Sequence, residues 1–163
     1  MQIGLDGYFL SPMSGTEKSY FLDCIRKTVL ESVSSEEAMM SELWIDCILG
    51  AVAPNLDGIG MKNEAFILKR DNGERCGMLW MGESKDQYTC DDTGYVLGIY
   101  VEEGMRGTGL GRALLQAAEQ WCAERGFLSV TLNVGSMNKD ARKLYDSCGF
   151  RERSTVMRKD LQR

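Results

Sequence analysis

One junction limits what this chain can fold into. Residues 95–101, Tyr-Val-Leu-Gly-Ile-Tyr-Val, read as a strand of β-branched and aromatic residues. A charged turn leads into Arg106-Gly107-Thr108-Gly109-Leu110-Gly111, and apolar residues then recur at helical spacing. Glycines ahead of a helix let the backbone come close to a ligand. The first helical N–H groups have no partner inside the helix, and the dipole adds partial positive charge there. Such an end suits a phosphate or pyrophosphate.

Spacing separates the phosphate-binding possibilities. There is no G-x-x-x-x-G-K-[ST], so a Walker loop is excluded. A dinucleotide G-x-G-x-x-G starting from Gly107 and Gly109 would need its third glycine where Arg112 stands. What remains is R-x-x-G-x-G, Arg106 to Gly111. Downstream, Leu132 to Phe150 contains N-x-x-A-x-x-x-Y-x-x-x-G-F through Asn138, Ala141, Tyr145, Gly149 and Phe150.

In this order and at this spacing, the two segments resemble the acyl-CoA site of the GNAT N-acetyltransferase superfamily, over about residues 95–157. The resemblance implies a mixed, mostly antiparallel sheet of about six to seven strands with helices on both faces. Strands ending near 101 and 134 would splay apart and hold the pantetheine arm. Backbone groups of Ile99, Tyr100 and Val101 would pair with that arm as an added strand would. The amides of Gly107, Thr108, Gly109, Leu110 and Gly111 would hold the pyrophosphate. Arg106 and Arg112 flank the loop and are placed to offset phosphate charge. Asn133 and Asn138 would lie along the arm. Tyr145 would sit near the thioester sulfur, where a phenol, with a reference pKa of about 10, has a proton for the departing thiolate.

The implied function is transfer of an acetyl group from acetyl-CoA, as co-substrate, to a primary amine by direct attack in a ternary complex. A non-catalytic acyl-CoA sensor or interaction module is the alternative. Several family members carry a glutamate in the strand matching 95–101. This strand has no acid, and Leu97 lies near that place. Asp91, Asp92, Glu102 and Glu103 flank the strand and read as turn residues.

Composition narrows the setting. The 163 residues suit a single domain, 1–163. A net charge of −5 argues against nonspecific nucleic-acid binding and favours a cationic acceptor. No apolar run reaches membrane-spanning length, and the start of the chain lacks a basic n-region, which points to the cytoplasm. Six cysteines without a C-x-x-C pair fit a reducing compartment; only Cys90, in a polar stretch, is expected to be exposed. The absence of histidine removes Ser-His and Cys-His catalysis and histidine-based metal sites; no metal is expected. A homodimer is compatible with all of this.

Along the chain, strands are expected at 2–10, 64–70, 75–82, 95–101, 128–134 and 150–160. Ser14-x-x-Glu17 and Ser34-x-x-Glu37 are capping boxes. The helix after the first places Tyr20, Phe21, Cys24, Ile25 and Val29 on one face. The next presents Met40, Leu43, Trp44, Cys47 and Ile48. Turn formers make 50–63 a loop, Asp71-Asn72-Gly73 a hairpin turn and 83–94 a polar connection. Helices are expected over about 109–125 and 138–148. The acceptor pocket is expected from the N-terminal helices and the loops at 50–63 and 83–94.

Overall fold

Five strands form one sheet in chain order: β1 (Tyr8–Pro12), β2 (Asn63–Arg70), β3 (Arg75–Lys85), β4 (Asp92–Val101) and β5 (Val130–Leu132). The structure is a computed structural model and describes residues 3–34, 37, 42–56, 60–159 and 161. The first three pairings are antiparallel, and β4–β5 is parallel. Helices α1 (Lys18–Ser32) and α2 (Glu42–Leu56) lie between β1 and β2; α3 (Leu110–Glu124) follows β4, and α4 (Lys139–Ser147) follows β5. This is the expected mixed α/β sheet with helices on both faces. It has five strands among the described residues, rather than six or seven.

Both faces of the sheet are covered by apolar packing. On one face, α3 buries Leu110, Ala113, Leu114, Ala117, Ala118, Trp121 and Cys122 against Leu68, Leu79, Met81 and Val96. On the other, α1 buries Phe21, Cys24 and Ile25 against Ile67, Met78, Trp80 and Tyr100. Strand alternation explains the division: Met78 and Trp80 turn one way, Leu79 and Met81 the other. The Phe21 ring meets Trp80 edge-on, with centroids 5.8 Å apart.

Both capping boxes form. Ser14 N–H donates to Glu17 Oε2 at 3.0 Å, and Ser34 N–H donates to Glu37 Oε2 at 2.9 Å. Glu17 also pairs with Lys69 at 2.7 Å. Burial pushes its carboxyl up, but the Lys69 and Ser14 contacts outweigh this and hold it at about 2.

Several expected elements are corrected. The first strand begins at Tyr8 and runs to Pro12, because Ile3 and Leu5 join the core from a turn instead. Residues 50–56 belong to α2. Leu49, Val52 and Leu56 pack on the sheet, and Pro54 withholds only the N–H that would reach the exposed Gly50 turn. The inward stripe of α2 is Ile45, Leu49, Val52 and Leu56; Cys47 is exposed and Ile48 is half-buried. A helix this apolar offers two competing stripes, and the sheet selects one. Met40 and the side chains of Leu43 and Trp44 lie outside the described residues. The polar connection shrinks to 86–91, since β3 and β4 zip on through Lys85 and Asp92. Residues 150–159 form no ladder, so the last expected strand is not formed. Their backbone has no sheet partner; Arg153 instead reaches the buried Asp86, and Arg142 pairs with Glu152 at 3.0 Å.

Candidate active site

The site begins where β4 and β5 stop pairing. Their parallel ladder runs through Gly94–Val130, Tyr95–Thr131 and Val96–Leu132 and then ends, while β4 continues to Val101. The divergence coincides with a β-bulge. Against β3, Met81 faces Val96 while Trp80 faces Gly98, leaving Leu97 as the extra residue. Leu97 packs toward α1, and a Cβ on Gly98 would stand 2.9 Å from Ile25 Cδ1 on that same face. Ile99 then returns to the α3 face. Leu97, in a stretch (95–101) that carries no acid, is thus the bulge residue that re-phases the strand.

The re-phasing decides which backbone groups are open. Glu102 N–H donates to Cys76 O on β3 at 2.9 Å. Backbone direction alternates along a strand, so Tyr100 also faces β3, while Ile99 and Val101 turn their N–H and C=O toward the open side. Of the three expected backbone contacts, Ile99 and Val101 lie on the edge away from β3, where Val101 O already accepts Arg106 Nε, and Tyr100 does not. Tyr100 instead sends a phenol to Glu102 Oε2 at 3.4 Å.

Past Val101 the chain makes a short 3₁₀ turn, Glu103–Met105, and enters the glycine loop. Residues 106–109 are exposed. Gly109 caps α3 at φ +91°, in the left-handed region that favours glycine, and a Cβ there would find Leu5 Cδ1 no nearer than 3.9 Å. Ala113 N–H makes the first helical bond, to Gly109 O. The N–H groups of Leu110, Gly111 and Arg112 therefore have no intrahelical acceptor. The Leu110 side chain is buried, and Thr108 donates its hydroxyl to Met105 O at 2.7 Å, which tightens the loop.

The third glycine has a different purpose from the first two. A Cβ on Gly111 would stand 2.8 Å from Leu144 Cδ2. Gly111 makes room for α4. Arg112 completes that joint, donating to Ser147 O at 3.2 Å and to Ser147 Oγ at 2.9 Å. Arg106 also has protein partners: Nε donates to Val101 O at 3.1 Å, and Nη2 meets Glu31 at 2.6 Å.

Helix α4 carries the remaining expected residues. Asn138 is its N-cap, accepting Ala141 N–H at 3.2 Å. Asn133 is exposed just beyond the end of β5. Tyr145 is buried at 8% exposure, and its ring lies 5.8 Å from that of Phe150. Burial pushes its phenol up to about 12. Among the flanking acids, Asp92 pairs with Lys85 at 2.6 Å. Glu102 accepts Tyr20 OH at 3.0 Å and Lys27 Nζ at 3.5 Å. Sequence reasoning missed this Glu102 cluster, because its members lie 75 and 82 residues apart and follow no local pattern.

The donor set fits an acyl-CoA: an open strand edge, three unpaired helix-end N–H groups and a loop too bare of side chains to block approach. Among the described residues no helix is long and apolar enough to cross a membrane. A model of the acetyltransferase (GNAT) family matches residues 30–150, and the chain belongs to that family. It is 33% identical over 94 residues to the uncharacterized N-acetyltransferase YycN of Bacillus subtilis (strain 168), covering 58% of this chain and 59% of that one. The chain thus spans about three-fifths of the length of the Bacillus relatives it matches. Its fold is similar to that of a GCN5-related N-acetyltransferase from Ralstonia eutropha JMP134, with a TM-score of 0.74 at 21% identity over 95% of this chain and 99% of the other. It is also similar to AAC(6')-Iy, solved with the bisubstrate analog CoA-S-monomethyl-acetylneamine, with a TM-score of 0.65 at 18% identity over 95% and 98%.

Proposed function

We propose that this protein transfers the acetyl group of acetyl-CoA to a primary amine. The observation that carries the reading is the end of the β4–β5 ladder at Val96 and Leu132. It leaves Ile99 and the Val101 N–H as an open edge, with Val101 O taken by Arg106 Nε, running into unpaired helix-end amides. An edge of N–H and C=O groups takes an amide-containing arm as it would a strand, and the helix end takes a pyrophosphate.

In the reaction, a neutral amine attacks the thioester carbonyl carbon. The C–N bond forms, the C–S bond breaks, and the sulfur leaves with the electron pair. The nitrogen gives up its extra proton, and the net proton ends on the thiol. The chain's contribution is alignment of the two substrates and hydrogen bonding to the charge that develops. Tyr145 is the residue proposed to face the departing sulfur. Its phenol, held at about 12, is a weaker acid than a thiol near 8.5, so full proton transfer is uphill by about 5 kcal/mol. Tyr145 therefore acts as a hydrogen-bond donor that stays protonated throughout the working pH range. The acidic balance of the chain supports a cationic acceptor.

The test is release of free thiol from acetyl-CoA across a panel of amines, with acetyl-CoA binding measured in parallel. Amine-dependent thiol release is expected. Binding without release for any amine would make the protein an acyl-CoA-binding module, and no binding would remove the reading altogether.

A further inference from the structure

Both ends of the turn that leads into the glycine loop are fastened to α1. At its start, Glu102 accepts Tyr20 OH on Oε1 at 3.0 Å, and on Oε2 both Lys27 Nζ at 3.5 Å and Tyr100 OH at 3.4 Å. Lys27 is held in turn by Asp23 at 3.0 Å and lies 5.5 Å from the centre of the Tyr100 ring. At the end of the turn, Arg106 Nη2 meets Glu31 at 2.6 Å, Nε meets Val101 O at 3.1 Å, and the guanidinium lies 5.3 Å from the Tyr100 ring centre. Between these ties the backbone is closed by Met105 N–H on Glu102 O at 2.8 Å and Arg106 N–H on Glu103 O at 3.2 Å. Beyond them, Gly107 and Gly109 have no side chains, and the loop's own side chains supply one tie, from the Thr108 hydroxyl to Met105 O at 2.7 Å.

The charges on α1 have the wrong sign for direct contact with a phosphate-bearing ligand. Glu31 and Glu102 are carboxylates beside a loop read as a pyrophosphate site. An anion near an anion weakens binding, and surface pairs of this exposure contribute little stability by themselves. Arg106, which spacing alone suggests as a phosphate partner, spends two of its donors on Val101 and Glu31. A guanidinium that bridges a carbonyl and a carboxylate fixes both its direction and theirs.

We propose that Glu31 and Glu102 are positioning residues for the cofactor loop, with Arg106 as the strut between α1 and the end of β4. The inference rests on the reading of 107–111 as the acetyl-CoA loop. It makes α1, which also covers the sheet at the β4 bulge, a mechanical link between the two substrate sides.

The test turns on the sign of an effect. Glu31→Gln and Glu102→Gln each remove a negative charge near an anionic ligand. Charge alone predicts equal or tighter acetyl-CoA binding. The brace predicts weaker binding by about three- to fivefold, the scale of one surface ion pair, with kcat at saturating acetyl-CoA little changed. Arg106→Lys keeps the positive charge but cannot bridge Val101 and Glu31, so it should lose affinity about as much as Arg106→Gln. In the free protein, amide hydrogen exchange over 103–109 should speed up in all four variants while global thermal stability holds. Tighter or unchanged binding in both carboxylate variants overturns the brace, as does wild-type affinity in Arg106→Lys or unaltered loop exchange. A wild-type protein that does not bind acetyl-CoA overturns the cofactor reading and, with it, the loop's proposed role.

Discussion

The two faces of the sheet are built by different means. On the α3 face the fit is made by backbone and small residues: Gly109 supplies a left-handed cap, Gly111 lets Leu144 approach, and alanines at 113, 117 and 118 bring the helix close to the strands. On the α1 face the apolar packing of Phe21, Cys24 and Ile25 is joined by polar side chains of long reach, with Tyr20, Lys27 and Tyr100 meeting on Glu102 and Arg75 lying 4.6 Å from the Tyr20 ring centre. A site made of backbone amides depends on glycine spacing and tolerates little change. A surface made of side chains can be re-specified residue by residue. That difference accounts for a cofactor reading that is sharper than the acceptor reading.

Substitutions can set the two faces against each other. The largest effect is expected at Tyr145. Tyr145→Phe keeps the ring against Phe150 but removes the hydrogen-bond donor to the developing charge, so kcat should fall by about 10²-fold or more while acetyl-CoA affinity, measured by calorimetry, stays within about twofold. A variant with wild-type kcat would return Tyr145 to a packing role.

Gly109→Val should come next. It forces a β-branched residue to φ +91° and places methyl groups where the loop is open. Acetyl-CoA affinity should drop about 10- to 100-fold in a protein whose circular dichroism is unchanged. Undiminished affinity in the folded variant would refute the loop assignment. Gly111→Ala should differ from it, since that Cβ meets only the flexible end of Leu144; a modest loss of stability with near-normal affinity would separate the two glycines.

On the opposite face, the Glu17–Lys69 pair offers a pH-dependent effect. The folded carboxyl is held at about 2, below its ordinary value of 4.5. Its stabilisation is therefore complete above the unfolded value and is lost as pH falls through the folded one. Glu17→Gln should cost up to about 3 kcal/mol at pH 7, with the gap to wild type closing between roughly pH 5 and pH 2. Denaturant titrations at several pH values would show it; a gap that does not narrow with acid would place the stabilisation in packing instead.

The smallest effect concerns the acceptor. With 24 acidic against 19 basic residues, attraction to a cationic amine should be screened by salt. We expect kcat/KM for the best amine to fall a few-fold as ionic strength rises. A best acceptor that is anionic, or a rate indifferent to salt, would show that the net charge serves solubility alone.

What could be read from the chain was local. The strand, the glycine loop and α3 follow from spacing within about 30 residues, and both capping boxes follow from residues three apart. Local expectation and structure part where a local signal competes with a distant one. Gly50, Pro54 and Asn55 speak for a loop, but burying Leu49, Val52 and Leu56 on the sheet carries α2 through them. Residues 150–160 have strand composition, yet strand status needs a ladder, and 150–159 have none.

The sequence by itself determined the family, the position of the glycine loop and the helix that carries Tyr145. Each of these rests on backbone conformations that only particular residues permit at particular spacings. Tertiary structure alone decided which groups of β4 are open, because the bulge at Leu97 emerges only when β4 is laid against β3. It also decided that Gly111 and Arg112 join α3 to α4, and that Arg106 and Glu102 reach α1. Those roles depend on side chains meeting across the fold, and no spacing along the chain encodes which partner will stand opposite.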